Sequence, residues 1–110
     1  MKKLIFLSLL LIPSNLLAQS ADSLYIVTYT TGPAWDTGKP AHEQRYFKEH
    51  SANLGQWRKE GIIKLGARYG DKGMIVVAAT TLAAAKVLIA NEESVANNLF
   101  KADVQKFNVF

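Results

Sequence analysis

An α+β domain with the element order β-α-β-β-α-β is predicted by three features of this 110-residue chain. Residues 22–30 (DSLYIVTYT), 62–69 (IIKLGARY) and 74–79 (MIVVAA) are β-branched and aromatic runs, the composition of strands. Residues 41–61 and 82–90 carry apolar side chains at helical spacing. A glycine-rich turn, Gly70-Asp71-Lys72-Gly73, joins two of the strands as a hairpin.

The elements follow in order. In the first strand both faces, Leu24/Ile26/Thr28 and Tyr25/Val27/Tyr29, are largely apolar, so it is expected to lie inside the sheet, covered on both sides. TTGPAWDTGKP, residues 30–40, reads as a loop. The helix is expected to begin just after Pro40 and to stop at Gly61, which takes a left-handed conformation at no steric cost. Gly55 within it is unfavourable and is read as a place of close backbone approach. Residues 62–69 alternate, with Ile63, Leu65, Ala67 and Tyr69 on one face, which suits an edge strand. Met74 to Ala79 is apolar on both faces, a second interior strand. Thr80 or Thr81 can cap the helix over 82–90. Asn91-Glu92-Glu93-Ser94 interrupts it, a short helical piece through Phe100 follows, and 101–110 closes the chain as an edge strand. Two interior and two edge strands agree with an antiparallel sheet ordered 4-1-3-2, the ferredoxin-like split βαβ arrangement, with both helices on one face. A second copy is the simplest cover for the other face, giving a homodimer.

The first eighteen residues read as a signal peptide: a basic Met1-Lys2-Lys3, an apolar 4–12, and Leu16-Leu17-Ala18 before a cut. The apolar run is too short to span a bilayer, so no membrane partner is expected after cleavage. The chain is then exported, periplasmic or secreted, with residues 22–110 as its one domain. Without Lys2 and Lys3 the formal charge falls from +4 to +2. The remaining basic residues are interleaved with acids and form no stripe, so nucleic acid is not an expected partner. No Cys is present, so neither a disulfide nor a lipid-linked cysteine is available. A core of this size lies near the lower limit for stability, a second reason to expect self-association.

The GPAWD loop followed by Lys39-Pro40, FKEH…L on the first helix, GARYGDKG at the hairpin and the closing LFKADV together resemble the YCII-related (YciI-like) family of the dimeric α/β-barrel superfamily. The likeness spans nearly all of 22–110. It implies a ferredoxin-like dimer with a site built on a helix histidine, here His50, and an acid after the second helix. Where that family carries Asp followed by Pro, this chain has Glu92-Glu93. One branch of the family eliminates HCl from a chlorinated muconate-type substrate, and the superfamily includes lactone isomerases and small monooxygenases.

His50 itself stands out by position. It lies between Phe47, Leu54 and Trp57 on an apolar helix face, a local inconsistency of the kind that gathers at functional sites. Imidazole is suited to moving protons near neutral pH, with a carboxylate to hold its tautomer. The alternative is a core histidine bonded to a backbone carbonyl. Glu92 is the candidate carboxylate, although an acid where a helix restarts also complements the helix dipole. Asp36 could reach the site from the loop, with Trp35 as an apolar wall, or Asp36 and Thr37 could simply make a turn. Arg68 could bind an acidic substrate group or be a solvated edge-strand charge, and Asp71 is read as a turn residue. Two histidines and no cysteine give no zinc site. Neither a phosphate-binding glycine loop nor a Gly-x-Ser-x-Gly elbow occurs, and no cofactor is expected. The expected function is a cofactor-independent lyase or isomerase of a small organic molecule, with His50 as general base and Glu92 or Asp36 as partner. The alternatives are a non-catalytic module binding a small ligand and, more remotely, a haem-binding or monooxygenase-like protein.

Overall fold

The computed structural model describes residues 22–110, so the signal-peptide reading lies outside the described residues. Four strands, β1 (Ser23–Thr31), β2 (Ile63–Tyr69), β3 (Lys72–Ala79) and β4 (Phe100–Lys106), form one antiparallel sheet in the order β2-β3-β1-β4. Three helices accompany it: α1 (Phe47–Lys59), α2 (Leu82–Ala90) and the single turn α3 (Glu93–Ala96). The chain is thus α+β, compatible with a ferredoxin-like arrangement.

The pleat of β1 sorts its residues. Tyr25, Val27 and Tyr29 are buried and pack with Trp57 of α1, Ala85 and Ile89 of α2, Ile75 and Val77 of β3, and Val104 of β4. The helices therefore lie on that face. The alternate residues Leu24 and Ile26, with Met74, Val76 and Ala78 opposite them, form the other face, which no helix among the described residues covers. Leu65 and Tyr69 of β2 extend it and are 53% and 51% exposed.

Several boundaries differ from those the sequence predicts, each for a visible reason. The first helix starts at Phe47, not after Pro40. Residues Ala41–Glu43 make only a 3-10 turn, and Tyr46 is left-handed (φ 73°), which a continuous helix forbids. The Gln44 side chain is committed to the preceding loop: Oε1 accepts from Asp36 N (2.9 Å), and Nε2 donates to the carbonyls of Asp36 (2.6 Å) and Lys39 (2.9 Å). The end of α1 follows expectation. Gly61 takes φ 78°, its N–H reaches the Arg58 carbonyl, and the Ile62 N–H reaches that of Trp57. Thr81 caps α2, accepting from Ala84 N at 3.0 Å. The helical piece after Glu92 ends at Ala96, since Asn98 is left-handed (φ 63°) and Phe100 already begins β4. In β2 a bulge between Ile63 and Leu65 separates residues that simple alternation places together. Ile63 turns into the core, and Gly66 and Arg68 share its side of the sheet, while Leu65, Ala67 and Tyr69 face the open side.

The close backbone approach predicted at Gly55 occurs instead at Gly32. A Cβ at Gly55 would meet nothing within 4 Å, whereas one at Gly32 would press on the Asn98 carbonyl. There the loop is sewn to the chain before β4, with Gly32 N bonded to Leu99 O (2.8 Å) and Ala34 N to Asn98 O (2.9 Å). Gly32→Ala is expected to lower stability by about 1–3 kcal/mol through this clash. The change is read as a lower urea midpoint at constant slope, with Gly55→Ala as the neutral or stabilising control.

Candidate active site

His50 lies in the first turn of α1, on its buried face, and Glu92 sits in the break between α2 and α3. The fold brings them together: His50 Nδ1 lies 2.8 Å from Glu92 Oε1. Both are buried, at 8% and 3% exposure. Ser94, fully buried, completes the cluster. Its Oγ donates to Glu92 Oε1 (2.6 Å) and lies 3.0 Å from His50 Nδ1, while its backbone N–H donates to Glu92 Oε2 (2.8 Å). The serine hydroxyl has one proton, and the short contact assigns it to the carboxylate. The imidazole must then carry its proton on Nδ1 to donate to the same oxygen. Nε2, the other ring nitrogen, has no hydrogen-bond partner among the described residues.

Glu92 therefore fulfils both roles the sequence allows it. One oxygen caps α3; the other holds the histidine. Burial pushes its carboxyl up, but the hydrogen bonds from His50 and Ser94 outweigh that and hold it below the usual carboxylate range. The carboxylate is thus charged inside the protein because three donors surround it.

Aromatic rings enclose the imidazole. Tyr29 stands edge-on at 5.2 Å between centroids, Phe100 lies at 4.9 Å and Phe47 at 6.0 Å, and Trp35 packs on Phe100 at 5.7 Å. Beside them opens a cleft of about 440 Å³, lined by His50, Trp35, Phe47 and Phe100 and also by Arg68 and Lys72. Tyr29 also lines it. Its hydroxyl is buried with no partner, and burial together with the negative charge of Glu92 pushes its ionisation well up, so it stays a neutral O–H. A larger groove, about 910 Å³, runs between α1 and α2 along Ala52, Ala83, Ala84, Val87 and Leu88. Glu92 lines it and His50 does not, so the histidine's chemistry belongs to the smaller cleft.

Of the residues singled out in the sequence, His50 and Glu92 meet, and Trp35 and Arg68 line the same cleft. Asp36 does not join them. It is exposed, and its Oδ1 accepts from Gly38 N (2.9 Å) in the local turn, while Gln44 fixes its backbone. Asp71 lies at the cleft rim, 3.3 Å from Lys72 Nζ. Tyr29, Phe47, Ser94 and Phe100 were not singled out as site residues. Among the described residues, no group of three His, Cys, Asp or Glu is placed to hold a metal ion.

Because the Glu92 carboxyl is lower folded than unfolded, its contribution to stability is complete above the ordinary glutamate range (about 4.3) and fades as pH falls through the folded value. At pH 7, Glu92→Gln is expected to cost about 2 kcal/mol or more. The gap between the two proteins should narrow as urea unfolding is repeated from pH 6 down to 3; a gap independent of pH would refute the charged assignment. Comparison of the chain with protein-family models, with curated proteins and with solved structures gave no match, so the chemistry of the site rests on its geometry.

Proposed function

We propose that this protein is a cofactor-independent lyase or isomerase of a small organic molecule, with His50 as general base. The observation that carries the reading is a buried imidazole whose Nδ1 is held by a carboxylate, at the wall of a cleft. Glu92 fixes the tautomer that leaves Nε2 free to accept a proton, and its negative charge stabilises the imidazolium that results. The proton comes from a carbon made acidic by a neighbouring carbonyl. Its bonding pair then forms a double bond, and either a leaving group departs with its own electrons or the proton returns at another carbon. The aromatic walls exclude water and favour an apolar, planar guest.

Deuterium incorporation from D2O tests this reading without the natural substrate. A panel of small lactones and unsaturated or chlorinated acids is followed by proton NMR with wild-type protein and with His50→Ala. The expected result is exchange or elimination on at least one compound, reduced about 100-fold or more in the variant. Equal rates in both proteins would sink the assignment. Binding in the cleft with no reaction across the panel would favour the alternative, a non-catalytic small-ligand module.

The reading extends to the family and the assembly. The resemblance to the YCII-related family implies a homodimer, paired through the open sheet face, and the basic and apolar pattern of residues 1–18 implies export by cleavage after about residue 18. Leu65 and Tyr69, large side chains exposed on that face beside the half-buried Leu24, Ile26 and Met74, support the pairing in a domain this small. Light scattering after size exclusion should give twice the chain mass, and Ile26→Glu should give a folded or unfolded monomer. A monomeric wild type at micromolar concentration would rule the dimer out.

A further inference from the structure

The cleft described above has a polarity that the histidine does not explain. Pairing across the sheet sets three residues in one row, Tyr29 of β1, Gly73 of β3 and Arg68 of β2, all on the helix side. The outer two stand two strand spacings apart, roughly 10 Å. Between them Gly73 has no side chain, and a Cβ built there would meet nothing within 4 Å. The floor of the cleft is therefore open from the tyrosine beneath His50 across to Arg68.

Charge along that floor is unbalanced. Lys72 at the rim is answered by Asp71 at 3.3 Å, whereas Arg68 has no acidic partner within ion-pair distance among the described residues. Glu92 is committed to His50 and Ser94 and lies behind the imidazole. The lining thus presents one uncompensated cation, two strands across from the tyrosine that touches His50, with Trp35, Phe47 and Phe100 as apolar walls.

We propose that the cleft selects organic anions: a planar, apolar body lies over Gly73, its carboxylate paired with Arg68 and its opposite end against His50. The proposal rests on the reading of this cleft as the substrate site and adds the class of substrate and its direction. A guanidinium takes a carboxylate through two parallel N–H···O bonds, which gives orientation as well as affinity. An anion so placed keeps its charge away from the buried carboxylate of Glu92.

The test uses the full chain and a pair of probes of one shape, benzoate and benzamide. Amide shifts of Gly73 and Phe100 and the Arg68 Nε–H signal are followed by NMR during titration. Benzoate is expected to move all three and to bind about tenfold more tightly than benzamide. Arg68→Gln should abolish that preference while leaving benzamide binding unchanged. Gly73→Val, which the open space and strand backbone accommodate, should weaken both probes. Equal affinities in the wild type, a preference that survives Arg68→Gln, or titrations in which the three signals stay still would each overturn the proposal. Binding needs no turnover, so the two readings separate. A benzoate preference without any deuterium exchange would remove the chemistry assigned to His50 and leave anion recognition standing, and exchange without the preference would do the reverse.

Discussion

One buried carboxylate organises the functional end of this protein. Glu92 lies in the break between two helices, where the chain must supply an acceptor for the first free N–H of α3. The same group reaches 42 residues back along the sequence to His50. A charge in that position is tolerable only with its donors in place, so α1, the α2–α3 break and Ser94 are bound into a single arrangement. The rings of Tyr29, Phe47 and Phe100 around the imidazole keep the surroundings dry, which strengthens each of those bonds. Removing any donor leaves a desolvated charge behind, a larger penalty than the loss of an ordinary hydrogen bond.

The sheet supplies the rest of the site by register rather than by contact. Antiparallel pairing fixes which residues stand side by side across three strands, and the bulge in β2 decides that Arg68 faces the helices. Without that extra residue the guanidinium and the Leu65/Tyr69 pair would exchange faces. The glycine in the middle of the row then matters for what it omits. Cleft shape here is a consequence of strand geometry that no single residue specifies.

Much of the architecture was legible because it depends on local signals. Alternation in β1, the capping threonine before α2, the left-handed glycine after α1 and the glycine turn between β2 and β3 all act over a few residues. The start of α1 was not legible. Its spacing runs on from Pro40, but Gln44 is drawn off by three bonds to a loop whose path the sequence does not reveal. The bulge in β2 escaped notice for a related reason, since it arises from pairing with β3. In the site, His50 was conspicuous as a polar break in an apolar stripe, and Glu92 as an acid at a helix restart. Asp36 was as plausible by type, yet a turn closes on its carboxylate. Tyr29 and Phe100 looked like ordinary strand residues; only their place beside the imidazole distinguishes them.

The stitching of the loop to the chain ahead of β4 has a mechanical consequence. Gly32 and Ala34 hold the backbone of Leu99 and Asn98, and the next residues outward on the two strands of chain are Trp35 and Phe100, whose rings pack together at a tilt. The two rings are therefore mounted on one rigid plate, anchored at its far edge by the glutamine amide. Such a plate cannot swing aside as a flexible flap would. The opposite wall, α1, is tied down in turn by the His50–Glu92 bond, so neither side of the cleft hangs on a free loop.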